Sequence, residues 1–319
     1  MGTLMPESTT ASPAQVWISL SLVYVIWGST YLGIAVTVET MPPLQALGVR
    51  FLSAALLLGT FLVVRRGPGV IRVSRREVAS SALLGFLMLV CAMGMLAYAE
   101  QHVATGVAAL IVAIVPLWVV ILRAISGDRP RLLTWLGVAV GLVGLAVLLL
   151  PRSSAGQGEG DSRLWWSLGI MAGSSCWAIG SFLQPRLQTP RDPLVLTFFE
   201  MLAGGVFMIV IGTVIGERWD ISAISARSIW ALAYLITFGS LVGFVAYVWL
   251  IDNAPLSLVS TYAYVNPVVA VILGIALHGE KVSSALLLGG AIVVVGVGMV
   301  VTAERRTRND LRDLPEIAT

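Results

Sequence analysis

The sequence predicts an all-α integral membrane protein: ten transmembrane helices built as an inverted pair of five-helix repeats. Three observations predict it: an extreme apolar composition, a series of charge-free runs of spanning length, and a self-similarity between the two halves. Of 319 residues, 57% are hydrophobic and only 12% are charged, and the mean hydropathy is +0.91. Soluble domains carry about 25% charged residues, and a water-soluble surface needs more polar cover than this chain can supply. Soluble enzymes, nucleic-acid binders and secreted disulfide scaffolds are thereby excluded. The net charge of +3 reflects basic residues in short segments between apolar runs, which is a mark of membrane topology and not of a nucleic-acid surface.

A helix needs about 20 apolar residues to cross about 30 Å of hydrocarbon. Runs without Asp, Glu, Lys or Arg occupy 14–38, 78–99, 103–122, 132–151, 164–185, 228–251, 253–279 and 282–303. Two more apolar segments, 43–64 and 193–216, carry one charge each, Arg50 and Glu200. A β-barrel would instead show segments of about ten residues with alternating polarity. Residues 1–13 lack the basic start of a cleavable signal peptide, so 14–38 reads as a true span. With the N-terminus inside, the cytoplasmic segments hold fourteen Lys and Arg and the opposite side five, an asymmetry that places both termini in the cytoplasm. The expected organisation is a short cytoplasmic segment (1–13), a first repeat (14–151), an external linker (152–163), a second repeat (164–303) and a charged, poorly ordered cytoplasmic tail (304–319).

The halves align at a spacing that drifts from 150 to 152. Trp27 meets Trp177, Tyr31 meets Ser181, Pro43-Leu44 meets Pro193-Leu194, and Arg50 falls on Glu200. Further on, Pro116 falls on Pro267, Gly127-Asp128 on Gly279-Glu280, Gly137 on Gly289 and Gly144 on Gly296. Five spans per half is an odd number, so the second half enters the membrane from the opposite side. Secondary transporters use this architecture, with the substrate site near the midplane between the repeats.

The segments WGSTYLGIAV, PPLQALGVRFLSAALLLG, AEQHVATGVAALIVAIVPL, EMLAGGV and VSTYAYVNPVVAVILGIALHGE resemble the EamA-type family of the drug/metabolite transporter superfamily, and most of all its YedA-like inner-membrane members. The resemblance runs over roughly residues 14–303. It implies ten helices, two EamA repeats, a multi-pass inner-membrane protein, and export or facilitated passage of small metabolites. Asp128 and Glu280 match the acidic position that follows the proline-containing helix of such repeats, where a capping role is expected.

Ionisable groups inside hydrocarbon cost about 2.5–3.5 kcal/mol on insertion scales, which makes Arg50 and Glu200 the leading candidates for function. Each lies about six residues into its span, roughly 9 Å at 1.5 Å per residue; whether the two touch is left open by the sequence. A second set is aromatic: Trp27, Tyr31, Tyr98, Trp118, Trp177, Tyr247, Tyr262 and Tyr264 lie within or at the ends of spans, whereas Trp165, Trp166, Trp219 and Trp230 suit an interfacial belt. Trp27 and Trp177 sit at equivalent mid-span positions beside small residues, as cavity-lining indoles would. The expected substrate cavity is made by Trp27, Tyr31, Arg50, Tyr98, Trp118, Trp177, Ser181, Glu200, Tyr247, Tyr262 and Asn266. Pro116 and Pro267 should kink the fourth and ninth spans. Glycines 137, 141 and 144, with 289, 290, 296 and 298, suggest close helix contacts. Glu100, Gln101 and His102 close the third span, as gate residues or as simple helix terminators.

Cys91 and Cys176 read as small hydrophobes within spans, and the sequence has no Cys/His spacing for a metal and no P-loop, so neither a metal nor another cofactor is expected. The expected partners are the lipid bilayer, a small-molecule substrate and, through Glu200, protons; no nucleic-acid partner is expected. The function read from the sequence is secondary transport of small neutral or zwitterionic metabolites, amino acids foremost, by alternating access. The alternatives are a broad-specificity proton-coupled drug exporter and, at a distance, a lipid-modifying membrane enzyme.

Overall fold

The structure, a computed structural model, describes residues 12–127, 130–149, 159–254, 262–280 and 283–312. The expected N-terminal segment before Ser12, Asp128, the first part of the 152–163 linker, and the chain after Arg312 lie outside the described residues, as do the side chains of Asp252 and Tyr264.

Among the described residues, ten helices follow in order. Ser12 caps α1 (Pro13–Val38) through a reciprocal bond pair with Gln15, and Pro13 opens the helix where its missing N–H costs nothing. A second proline start opens α2 (Pro43–Arg66), which ends at Gly67 with φ at 80°, a backbone region suited to glycine. Ser74 and Glu77 form the same capping box ahead of α3 (Arg75–Ala99). The helix α4 (Thr105–Ile125) follows, then α5 (Leu132–Leu149) and α6 (Glu159–Leu183). Asp192 caps α7 (Pro193–Val214). The eighth span, α8 (226–253), is followed by α9 (Tyr262–His278) and α10 (Ser284–Arg312). Among these, α1–α4, α7, α8 and α10 contain seven stretches long and apolar enough to cross a membrane by length and composition.

Four local features depart from the expected uniform spans. Pro116 does more than kink α4: the helix stops at Val112 and restarts at Val115, with Pro116 in its first turn. Pro267, its repeat partner, lies inside a continuous α9. Both α3 and α8 contain a π-helical stretch, Phe86–Gly94 and Leu235–Val242, at matching places in the two repeats. Finally, α10 continues through Arg312, so residues 304–312 are helical and not the poorly ordered tail expected. That segment holds no Gly or Pro and is rich in Arg, a good helix former.

Packing obeys the inverted repeat. Helix α1 packs on α8 and α9 of the second half, while its counterpart α6 packs on α3 and α4 of the first. Helix α2 pairs with its own counterpart α7, and α5 with α10. The first helix of each repeat is thus lodged in the other repeat. The core between them is built from side chains such as Leu47, Ile111, Ile114, Leu117, Met208 and Val293, all below 2% exposed. Large apolar groups also cover the outer faces, among them Leu56, Val64, Val214, Trp165 and Trp230, as hydrocarbon solvent permits. The glycine faces are used within the chain: a Cβ on Gly144 would lie 2.6 Å from the Val293 nitrogen, and one on Gly296 would lie 2.3 Å from the Gly141 nitrogen.

Gly296→Leu is therefore expected to force α5 and α10 apart and to destabilise the protein by at least the about 1–3 kcal/mol typical of overpacking. A thermal unfolding midpoint in detergent equal to that of the wild type would contradict this contact.

Candidate functional site

Polar atoms shut away from water without a hydrogen bond are rare and costly. Among the described residues, such side-chain atoms are Arg50 Nη1, both Glu100 carboxylate oxygens, Trp118 Nε1, Ser167 Oγ, Glu200 Oε1 and Asn266 Oδ1. Four of these six residues belong to the cavity set expected from the sequence.

Arg50 and Glu200 do not pair: among the described residues no ion pair joins them. Their helices meet instead through glycines, since a Cβ on Gly48 would lie 3.1 Å from the Gly205 carbonyl and one on Gly205 would lie 3.1 Å from that of Gly48. Each charged residue sits beside the third helix of the opposite repeat. Arg50, 4% exposed, donates from Nε to Ser240 Oγ at 3.0 Å, and Ser240 belongs to the π stretch of α8. The guanidinium lies against Gly239, where an added Cβ would sit 3.2 Å from Nη2. On α7, the Glu200 backbone carbonyl comes within 2.4 Å of a Cβ placed on Gly85 of α3. The expected mirror relation thus holds for the helices, and it separates the two charges.

Glu100 caps the end of α3 and is only 8% exposed. Burial first, and the negative charge of Glu280 second, hold its carboxyl well above the usual carboxylate range, while Arg50 draws it back down. Glu100, Gln101, His102, Thr105, His278 and Glu280 contribute to the lining of a cavity of about 220 Å³. The sequence suggested a gate or a helix terminator here; the structure makes Glu100 a buried carboxyl group. A larger groove of about 450 Å³, along Trp17, Ser21 and Val25 of α1, contains none of these groups.

The end of the bundle opposite residue 13 is tied by carboxylates. Glu280, expected as a cap, accepts from the Thr105 N–H and hydroxyl, both at 2.6 Å, and from the Gly106 N–H at 3.3 Å. It therefore caps α4 of the other repeat. Glu217 accepts from the Leu44 and Gln45 N–H groups at 3.0 and 2.9 Å and also from the Tyr98 hydroxyl, so it caps α2 from across the repeat boundary. Helix N-termini expose unsatisfied N–H groups and a partial positive charge, which carboxylates complement. Glu39 adds a third tie, with Arg227 Nη1 at 3.6 Å and His278 Nδ1 at 3.8 Å.

The aromatic set does not form one box. Trp27, Tyr247 and Tyr262 cluster with ring centroids 4.9–5.8 Å apart, packed with Leu20, Val23 and Leu250 towards the residue-13 end. The indole of Trp27 reaches Gly243, where a Cβ would lie 2.7 Å from Nε1. Tyr98 instead stacks with Trp166 at 6.2 Å, and Trp166 stacks with His102 at 4.9 Å; Trp166 is therefore part of an internal stack. Tyr31 and Trp118 pack against the main core. Trp177 makes no ring contact with these residues, and Ser181 Oγ bonds back to the Trp177 carbonyl at 3.0 Å. Asn266 is buried on α9, where α1 comes close: a Cβ on Gly28 would lie 3.1 Å from the Asn266 carbonyl. The residues sequence reasoning missed are Ser240 and Glu217, together with Glu100 in its buried role.

Comparison with known proteins now bears on this arrangement. The profile of the EamA-like transporter family matches residues 15–150 and 164–302. The chain belongs to that family. It is 39% identical over 284 residues to the uncharacterized inner membrane transporter YedA of Escherichia coli (strain K12), covering 88% of this chain and 89% of that one. It is also 28% identical over 304 residues, 93% of this chain and 96% of the relative, to a probable terminal-alkyne amino-acid exporter of Streptantibioticus cattleyicolor. A solved crystal structure aligns with a TM-score of 0.62 at 19% identity, covering 93% of this chain and 99% of its own, a likeness of fold. EamA membership makes the chain a multi-pass membrane transporter and not an enzyme.

Glu280→Gln keeps the shape of the cap and removes its charge. It is expected to cost about 0.5–2 kcal/mol, the usual worth of a helix cap, and to speed amide exchange at Thr105 and Gly106. Exchange at those two amides as slow as in the wild type would show that the cap is idle.

Proposed function

We propose that this EamA-family protein is a secondary transporter for small neutral or zwitterionic metabolites, amino acids foremost, moving them outward by alternating access. The carrying observation is the set of enclosed polar groups that keep an atom without a partner among the described residues, Arg50, Glu100, Glu200 and Asn266 together with Trp118 and Ser167, in a largely apolar bundle. Such groups are retained in hydrocarbon where they meet a substrate or ion. Arg50 is the cation at this depth, which suits one carboxylate and disfavours multiply phosphorylated solutes. The relative described as a probable amino-acid exporter supports the same solute class.

The two ends supply the gates of this reading. At one end Glu217, Glu280 and Glu39 bind the repeats together; at the other, Trp27, Tyr247 and Tyr262 pack across α1, α8 and α9. Opening one set while the other holds exposes the central groups to one side at a time. The excess of Arg in the segments at the residue-13 end supports a cytoplasmic position for that end and for both termini. Glu200, with a carboxylate oxygen that has no partner, is the proton-carrying group in this scheme.

The test is counterflow of labelled amino acids into proteoliposomes, with and without a pH gradient. Gradient-driven uptake in the wild type is expected to fall to the no-gradient level in Glu200→Gln, with exchange retained. Exchange indifferent to both the gradient and the substitution would leave facilitated passage and give Glu200 a structural role.

A further inference from the structure

The chain holds two cysteines, Cys91 and Cys176, and the fold brings them together from different repeats. Cys91 lies in the π-helical stretch Phe86–Gly94 of α3, and Cys176 lies on α6, the first helix of the second repeat. Gly169, Gly173, Cys176 and Gly180 follow at spacings of four, three and four residues, which puts them on one face of α6. That face lies on α3. A Cβ on Gly173 would lie 3.2 Å from both the Ala92 Cα and the Cys91 carbonyl oxygen, and one on Gly180 would lie 2.6 Å from Met88 Cγ. One on Gly169 would lie 2.8 Å from Met95 Sδ. The two helices therefore run antiparallel in direct contact, and Cys176 falls between the Gly173–Cys91 and Gly180–Met88 contacts. The two thiols are hydrogen-bonded to each other. Both are free and half-buried, so a small apolar oxidant has access to them.

We propose that Cys91 and Cys176 are a disulfide-forming pair, oxidised by a membrane-permeant organic hydroperoxide, whose bond ties the two repeats and holds the end of the bundle opposite residue 13 shut. In the first step the Cys176 sulfur, as its thiolate, attacks the outer peroxide oxygen. The O–O bond breaks, the sulfur becomes a sulfenic acid, and the departing alkoxide takes up the thiol proton and leaves as an alcohol. In the second step the Cys91 sulfur attacks the sulfenic sulfur, the S–S bond forms, and the hydroxyl leaves with the Cys91 proton as water. Two thiols and one hydroperoxide thus give one disulfide, one alcohol and one water. A disulfide spans Cα atoms about 4.4–6.8 Å apart, a separation that helices touching through glycine reach. The mechanical consequence rests on the alternating-access reading above. Helix α3 leads into Tyr98, whose bond to Glu217 has to part for that end to open. Bonded at Cys91, α3 keeps its place against α6, and Glu217 stays on the Leu44 and Gln45 N–H groups.

The experiment uses the full chain in proteoliposomes, treated with cumene hydroperoxide and then, in half of the sample, with dithiothreitol. Alkylation after denaturation counts the free thiols: both are expected to be lost in a chain that stays monomeric on a non-reducing gel, and both to return with dithiothreitol. Amide exchange at Leu44 and Gln45 is expected to be at least about threefold slower in the oxidised protein than in the reduced one, since exchange there needs the end to open. In Cys176→Ser the hydroperoxide is expected to leave that exchange unchanged. Thiols that persist, or dimers cross-linked between chains, would overturn the pair. A disulfide that forms without slowing these amides, or with full counterflow of labelled amino acids retained, would overturn the lock. Slowing that dithiothreitol does not reverse, or that also appears in Cys176→Ser, belongs to methionine oxidation and would overturn it too. Absence of counterflow in the reduced protein would bring down the transport reading alone, because the thiol count and the amide exchange still decide the pair.

Discussion

Hydrocarbon offers no hydrogen bonds, so every polar atom carried into it must find a partner inside the chain, and this demand organises most of the molecule. The backbone meets it through helices alone. Where helices end, the demand passes to the caps: Ser12 and Ser74 serve their own helices, while Glu217 and Glu280 serve helices of the opposite repeat. A cap that comes from the other half turns a local need into a bond between domains. Among the described residues, the atoms that escape the rule lie on Arg50, Glu100, Trp118, Ser167, Glu200 and Asn266.

The inverted repeat supplies the frame, but the two halves are not chemical copies. At the end of the bundle opposite residue 13 the repeats are held by carboxylates on N–H groups and by an Arg–Glu–His contact. At the residue-13 end the corresponding space is filled by three rings. The position related to Trp27 by the repeat is Trp177, which takes no part in a ring cluster among the described residues, while Tyr98 bonds to Glu217. Polar ties can exchange with water and ions; apolar ring contacts separate through rearranged packing. The two ends thus answer to different physical variables, salt at one and packing at the other.

Much of the fold was legible because its signals are additive along the chain. Twenty apolar residues in a row, and a spacing near 150 between Pro43 and Pro193 or Gly144 and Gly296, survive any local ambiguity. The site was harder to read because burial depends on what lies across the bundle. Glu100 closes an apolar run beside Gln101 and His102, a setting that in sequence looks like a helix meeting water; only the packing around α3 reveals it as enclosed. Arg50 and Glu200 were legible as charges at equivalent depths, yet their separation follows from Gly48 and Gly205 occupying the α2–α7 contact. Pro116 and Pro267 were equally visible, but one breaks its helix and the other does not, because the tolerance of a proline is decided by neighbouring helices.

The π-helical stretches at Phe86–Gly94 and Leu235–Val242 have a mechanical meaning. A π turn holds one residue more than the α-helical ladder requires, so returning it to α-helix shifts everything beyond by one residue: about 100° of rotation and about 1.5 Å of travel along the axis. Tyr98 lies just beyond the first stretch and Tyr247 just beyond the second. Each repeat therefore carries such a stretch in its third helix, ahead of a tyrosine. Because the repeats are inverted, the two stretches run in opposite senses across the bundle.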